Sequence, residues 1–278
     1  MKAAPFVYER PSSLDAAVAS MAEAKGAAKI MAGGQSLGPM LNLRLVQPDL
    51  IIDISGLAEL KRAERCGDEL VIGACVTHAD IEDGRIPDVT RRAMQRIASN
   101  IAYRAVRNRG TIGGSLSHAD PAADWVSVLP ALGAKVRLRG PAGLRDLPAE
   151  DFMTGALESA LQPHELLESV RVPAMRASAR WGYAKACRKP GEFAHAIAAV
   201  LIDPEAATGR VVIGAIEAPP IVLRDASALF GGKITGEFKR ELVVSMADTL
   251  LLKAGIADAA DRHIHVAILR RAIEEAAS

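Results

Sequence analysis

A chain of 278 residues, half of them apolar, can bury a sizeable core and reads as one two-lobed unit or two domains side by side. Its 34 basic and 33 acidic residues leave a formal charge of +1, and only 4% of residues are aromatic. Those figures remove the concentrated basic face and the stacking platforms of a nucleic-acid binder.

The first predicted element is a helix over Leu14, Ala17, Val18 and Met21, which repeat at i, i+3, i+4, i+7 behind the capping serines of Pro11-Ser12-Ser13. Lys29-Ile30-Met31 then reads as a buried strand entering the glycine-rich segment Ala32-Gly33-Gly34-Gln35-Ser36-Leu37-Gly38. Leu50–Ile54 and Glu69–Ala74 are further runs of strand length, so a small α/β lobe is expected near the N-terminus.

Val89 to about Ile101 has helical period, with Ala93, Met94, Ile97 and Ala98 on one side, and runs into a second glycine-rich segment, Arg107 to Ser115. Lys135–Leu138 and Leu167–Val172 alternate as half-buried strands do, the latter stopping at Pro173. Ala174–Ser178 is the most linker-like stretch. Beyond it, Trp181–Arg188, Ala196–Asp203 and Gly209–Glu217 predict three strands of an antiparallel sheet, followed by amphipathic helices around Glu237–Lys253 and Asp261–Ala276. No apolar run approaches the ~20 residues that cross a bilayer, so no transmembrane segment is expected.

Three scattered cysteines, Cys66, Cys75 and Cys187, form no CxxC and cannot supply four thiolates. A zinc site or iron–sulfur cluster within this chain is therefore disfavoured; if electrons pass through clusters, another chain must hold them. Scattered thiols suit a reducing compartment, and the start Met1-Lys2-Ala3-Ala4-Pro5 lacks a signal peptide's apolar stretch, so a cytoplasmic protein is expected.

The chemistry concentrates in the two glycine-rich segments. Paired glycines permit positive φ and let backbone N–H groups approach a ligand, and consecutive N–H groups in one concavity bind anions. Gly33 and Gly38 have P-loop spacing, but Pro39-Met40 stands where the phosphate lysine and magnesium hydroxyl belong. No G-x-G-x-x-G is present, which disfavours a Rossmann site. The residues alone therefore lead to two loops gripping a phosphate-containing ligand, with turn-forming glycines as the structural alternative.

Ala32–Leu37 with Leu41-Asn42-Leu43-Arg44, and Arg107–Ser115 through His118-Ala119-Asp120-Pro121-Ala122-Ala123-Asp124, resemble the two FAD motifs of the molybdenum hydroxylase FAD subunits. The likeness is greatest to the medium subunit of aerobic carbon monoxide dehydrogenase and its relatives, and it covers essentially the whole chain. It implies an α+β protein with a two-lobed FAD-binding domain of the vanillyl-alcohol-oxidase type over 1–175, lobes about 1–55 and 56–175. A C-terminal domain over 178–278 follows, its antiparallel sheet flanked by helices.

By the same resemblance one FAD is bound non-covalently, its diphosphate against Ala32, Gly33, Gly34, Gln35 and Ser36 and against Thr111, Ile112, Gly113, Gly114 and Ser115. Ile30, Leu37 and Gly110 flank these segments as further cofactor contacts. Asp124 would accept from sugar hydroxyls, Ile101, Leu166 and Leu167 would pack on the cofactor, and Lys185 and Phe193 would approach the flavin side. His118 is either near the flavin or a structural hydrogen-bonder. Asp120 reads as a turn or cap residue, Arg107 and Arg109 as solvated or interface charges, and His263 and His265, two apart on a helix, as unsuited to a metal.

The resemblance also implies partners: a large subunit with a molybdenum cofactor and a small subunit with 2Fe–2S clusters, in a dimer of heterotrimers. The expected role is electron transfer from those clusters through FAD to an external acceptor, the oxidation of a small aromatic, heterocyclic or similar molecule occurring elsewhere. Gln35 stands where carbon monoxide dehydrogenases generally carry histidine, so carbon monoxide is not implied as substrate. Two alternatives stay open, a self-sufficient FAD oxidase or reductase of the same fold and a cofactor-free assembly subunit.

Overall fold

The structure is a computed structural model and describes residues 2–234 and 240–278. The chain is α+β and divides into two compact units. One comprises residues 1–118, 135–147 and 159–172, and the other 119–134, 148–158 and 173–278. The second unit thus begins in earnest at Pro173 but also gathers two segments from the first 175 residues.

The first unit opens on a three-stranded parallel sheet in the order Val7–Glu9, Leu50–Asp53, Ala28–Met31. The helix Leu14–Glu23 starts where Ser13 caps it, its side chain accepting from Ala16 N–H. Its apolar face, Leu14, Ala17, Val18 and Met21, shares a core with Ile52, Ile54, Leu57, Leu60, Cys75 and Leu166. A five-stranded sheet follows, ordered Ala63–Cys66, Glu69–Gly73, Leu166–Pro173, Lys135–Gly140, Gly143–Pro148. Its pairing of Leu166–Pro173 with Lys135–Gly140 is antiparallel and slips register between Leu167 and Ser169.

The helix expected over Val89–Ile101 is shorter, Ala93–Ser99. Asp88 accepts from the N–H groups of Thr90 and Arg92, and Arg91 and Arg92 adopt left-handed φ of 53° and 67°. That turn cannot continue a right-handed helix, so the helical period outruns the helix. Thr77 and Asp80 cap the short helix His78–Glu82 reciprocally. Arg107, expected to be solvated or interfacial, is clamped instead: Nε and Nη2 donate to Glu82, and Nη1 to the Ile101 and Ala102 carbonyls.

In the second unit Arg180–Ala186, Ala196–Asp203 and Thr208–Gly214 form the expected antiparallel sheet, and Ile221–Leu223 adds a fourth strand. The helices Arg240–Lys253 and Ala259–Ala277 flank it, and their apolar faces join Val200, Val211 and Ile213 in one core. The start expected for the first of them, Glu237, lies outside the described residues. Gly182 lets the last helix close onto the sheet edge: a Cβ there would stand 2.8 Å from the Ala276 amide nitrogen and overlap the Ala272 carbonyl oxygen. Among the described residues no helix is long and apolar enough to cross a membrane.

Candidate cofactor site

The strand Ala28–Met31 ends just before Ala32, and after the five residues Ala32–Ser36 the helix Leu37–Asn42 begins. Between them Gly34 takes φ of +69°, which only glycine holds without strain. Gly38 N–H turns back to the Gly34 carbonyl and Met40 N–H to that of Ser36, closing the helical turns. Among the described residues, the N–H groups of Gly33, Gly34, Gln35 and Ser36 have no acceptor. They form a run of open donors just ahead of a helix start, suited to an anion. The Gln35 side chain folds over its own loop, Nε2 donating to the Gly33 carbonyl at 3.4 Å.

The second glycine-rich segment is not a loop. Gly113, Gly114 and Ser115 lie in the helix Ile112–His118, and neither glycine has positive φ. Ile112 N–H donates to Val76 O, Gly113 N–H to Ala74 O, Gly114 N–H to Thr111 Oγ1 and Ser115 N–H to Thr111 O. The expectation of two equivalent donor loops is therefore corrected, because these donors are already satisfied. Here glycine permits close packing: a Cβ on Gly113 would lie 2.7 Å from both Cα and O of Ala74. Behind the segment, Gly110 leaves room for the buried His78 ring, whose Cδ2 would stand 3.0 Å from a Cβ at 110. Burial first, then the Arg107 charge, pushes the His78 imidazole down to about 4.

The two segments meet within the first unit. A Cβ on Gly33 would overlap the Arg109 carbonyl, 2.6 Å from its carbon, and one on Gly114 would lie 3.8 Å from Ala32 Cβ. Ala32, Gly33, Gly34, Gln35, Ser36, Gly110, Thr111, Gly114 and Ser115 are thereby brought together. Ile112, Leu166 and Leu167 are buried in the core, leaving mainly their backbone to a ligand. Ile30, Leu37 and Ile101 are half-buried, and His118 is the last residue of its helix.

In the second unit Lys185 Nζ donates to Asp124 Oδ1 at 2.9 Å, and the buried Tyr183 hydroxyl donates to the same oxygen. Among the described residues no hydrogen bond reaches Oδ2, which leaves one acceptor for a ligand hydroxyl. Burial, then the Asp124 charge, holds the Tyr183 phenol well above its usual range. Sequence reasoning assigned Tyr183 no role, although its i, i+2 spacing from Lys185 puts both side chains on one strand face. Phe193 is exposed on the connection between the strands Arg180–Ala186 and Ala196–Asp203. Asp120 is a turn residue, as expected, its Oδ1 accepting from Ala122 N–H.

Residues 4–175 match the family described as the FAD binding domain in molybdopterin dehydrogenase. The chain belongs to this family. It is 38% identical over 206 residues to the caffeine dehydrogenase subunit beta of Pseudomonas sp. strain CBB1, covering 74% of this chain and 70% of the relative. To the carbon monoxide dehydrogenase medium chain of Hydrogenophaga pseudoflava it is 34% identical over 248 residues, 88% of this chain and 86% of the relative. A solved structure of that organism's carbon monoxide dehydrogenase, one lacking the Mo-pyranopterin moiety of its molybdenum cofactor, superposes with a TM-score of 0.89. That alignment is 32% identical and covers 99% of this chain and 98% of the other.

As a medium FAD subunit of the molybdenum hydroxylase-type dehydrogenases, the chain must accommodate a diphosphate and a polyol. The residues fit both. The open N–H groups of Gly33–Ser36 and the hydroxyls of Ser36 and Ser115 suit a diphosphate's anionic oxygens. The second oxygen of Asp124 suits a sugar or ribityl hydroxyl. Among the described residues no His, Cys, Asp and Glu cluster could hold a metal.

Proposed function

We propose that this chain is the flavin stage of a multi-subunit molybdenum hydroxylase. It holds one FAD non-covalently, receives electrons from 2Fe–2S clusters on a small partner subunit and passes them to an external acceptor. The observation that carries the reading is the run of open donors at Gly33–Ser36, packed against the Arg109–Ser115 segment within one unit. FAD, when bound, supplies a carrier able to take electrons singly and release them singly or in pairs.

This chain's own residues bind and orient. The N–H groups of Gly33, Gly34, Gln35 and Ser36 would donate hydrogen bonds to the diphosphate without a lysine, and the Ser36 and Ser115 hydroxyls would add donors. Gly33 keeps the two segments in contact, while Gly110 and Gly113 let the second segment pack on His78 and Ala74. Ala32, Thr111, Ile112 and Gly114 offer backbone or small surfaces to the cofactor, and Ile30, Leu37, Ile101, Leu166 and Leu167 form its apolar surroundings. In the second unit Asp124 is fixed by Tyr183 and Lys185 as a hydroxyl acceptor, with Phe193 as a further cofactor contact; His118, at the end of its helix in the first unit, is another.

The relatives support the partners, since they are named as medium chains or subunits of larger enzymes. The expected assembly is a dimer of heterotrimers in which a large subunit holds the molybdenum cofactor and selects the substrate. The free Cys66, Cys75 and Cys187 accord with a cytoplasmic setting. A direct test reduces the iron–sulfur clusters of the purified partner subunits and mixes them anaerobically with the FAD-loaded chain. Bleaching of the flavin is expected. An unbleached flavin sinks the relay, and turnover of substrate by the isolated chain makes it a self-sufficient oxidase or reductase instead.

A further inference from the structure

We infer that the exposed apolar edge formed by Phe6, Val7, Tyr8, Leu43 and Leu45 is the docking surface for the electron-donating partner subunit, which meets it with an apolar patch rimmed by carboxylates. The inference rests on the electron-relay reading above and adds where on the first unit the donor sits.

Val7–Glu9 is one of the two edge strands of the three-stranded sheet. Adjacent residues of a strand point to opposite faces, yet Val7 and Tyr8 are both exposed, at 60% and 48%. The strand is therefore uncovered on both faces as well as along its edge, a condition that invites association unless a partner covers it. The Tyr8 hydroxyl donates to Asp53, which pins its ring at that edge.

The other half of the surface is built by a strained turn. After the helix Leu37–Asn42, Arg44 takes φ of +56°, held by its N–H to Leu41 O and by Leu45 N–H to Met40 O. Glycine is the usual occupant of that position, and strain in a non-glycine residue points to a use. Its consequence is that Leu43 and Leu45 project outward, Leu45 at 69% exposure. Arg44 Nε donates to the Lys2 carbonyl, and Val7 N–H to that of Asp49, so this turn and the edge strand lie together. Five of the twelve exposed large apolar residues among the described residues fall on these two short segments, a concentration typical of an interface.

Two features select the occupant. The exposed cations Lys2, Arg10 and Arg44 border the patch and outnumber the flanking Glu9 and Asp49, so the rim is net positive and a complementary surface carries an excess of carboxylates. A second copy of this chain, pairing through the same patch, would set those cations against their own images. Leu43 also directly follows the helix that starts at the Gly33–Ser36 loop, and six helical residues span about 9 Å. A donor seated here is close to the nucleotide loop.

The test titrates the FAD-loaded chain against the purified complex of its large and small subunits, comparing wild type with Val7→Asp, Leu45→Asp and the control Leu157→Asp, an exposed leucine of the second unit. Val7→Asp and Leu45→Asp should keep wild-type FAD content and melting temperature, weaken association at least tenfold, and slow cluster-to-flavin transfer at fixed concentration. Leu157→Asp should associate normally, and added salt should weaken wild-type binding. Wild-type association by both patch variants overturns the docking surface while leaving the relay intact. Self-association of the wild-type chain that Val7→Asp abolishes assigns the patch to a second copy and overturns it too. A flavin that the reduced complex cannot bleach at any concentration defeats the relay itself.

Discussion

Gly33 and Arg109 meet backbone to backbone: no side chain fits between the Gly33 Cα and the Arg109 carbonyl, whose carbon would lie 2.6 Å from a Cβ at position 33. This contact joins the open donor segment to the helix-bound one. Neither atom can yield without moving main chain.

Gly33→Ala should therefore part the two segments, costing about 1–3 kcal/mol of stability and at least tenfold in FAD affinity. Gly38→Ala is the matched control, because a Cβ there meets nothing within 4 Å and sits in a helix. It should be neutral or stabilising by about 0.5–1 kcal/mol. Flavin content after gel filtration and thermal melts of both variants check the pair, and equal behaviour would refute the packing role.

The Asp124–Lys185 pair makes a stability prediction. Its side chains are 9% and 13% exposed, so removing one partner leaves a desolvated charge. Lys185→Met should destabilise by about 3 kcal/mol or more, and Asp124→Asn in that background should recover part of the loss. Denaturant melts of the two single variants and the double variant measure the coupling; additive losses would contradict it.

His78 gives the pH dependence. Its folded value is lowered from 6.5 to about 4, so between those values the unfolded chain binds more protons than the folded one. Stability contributed by the neutral ring is complete above 6.5 and is lost as pH falls toward 4, up to roughly 3 kcal/mol in all. Comparing chemical denaturation of wild type and His78→Gln from pH 7 to 4 isolates the effect. The difference between them should narrow on acidification; a constant difference would exclude His78 as its source.

Much of this was legible in the sequence, because local pattern and final environment agree there. The helix at Leu14, the strands at Lys29, Leu50 and Glu69, and the antiparallel sheet after Pro173 all follow their apolar period. The second glycine-rich segment misled because Gly-Gly marks turns by propensity, whereas tertiary bonds to the Ala74 and Val76 carbonyls decide its conformation. Those acceptors are more than thirty residues away, beyond the reach of local pattern. The Tyr183–Asp124 bond is equally non-local, and the left-handed Arg91 and Arg92 that shorten the helix after Val89 leave no mark in the apolar period.

Thiol chemistry should separate two cysteines. Burial first pushes the Cys75 thiol up to about 12, and its Sγ donates to the Ile54 carbonyl, whereas Cys66 is exposed. Brief treatment with iodoacetamide at neutral pH should label Cys66 in the folded chain and reach Cys75 only after denaturation. Mass mapping that finds Cys75 alkylated in the native protein would contradict the core packing.

Equilibrium titration of the purified chain with FAD tests the central claim most directly. One FAD should bind per chain, be released intact by acid, and bind far more weakly to Gly33→Ala than to Gly38→Ala. A chain that binds no FAD under any reconstitution condition would contradict it, as would one whose affinity is indifferent to Gly33.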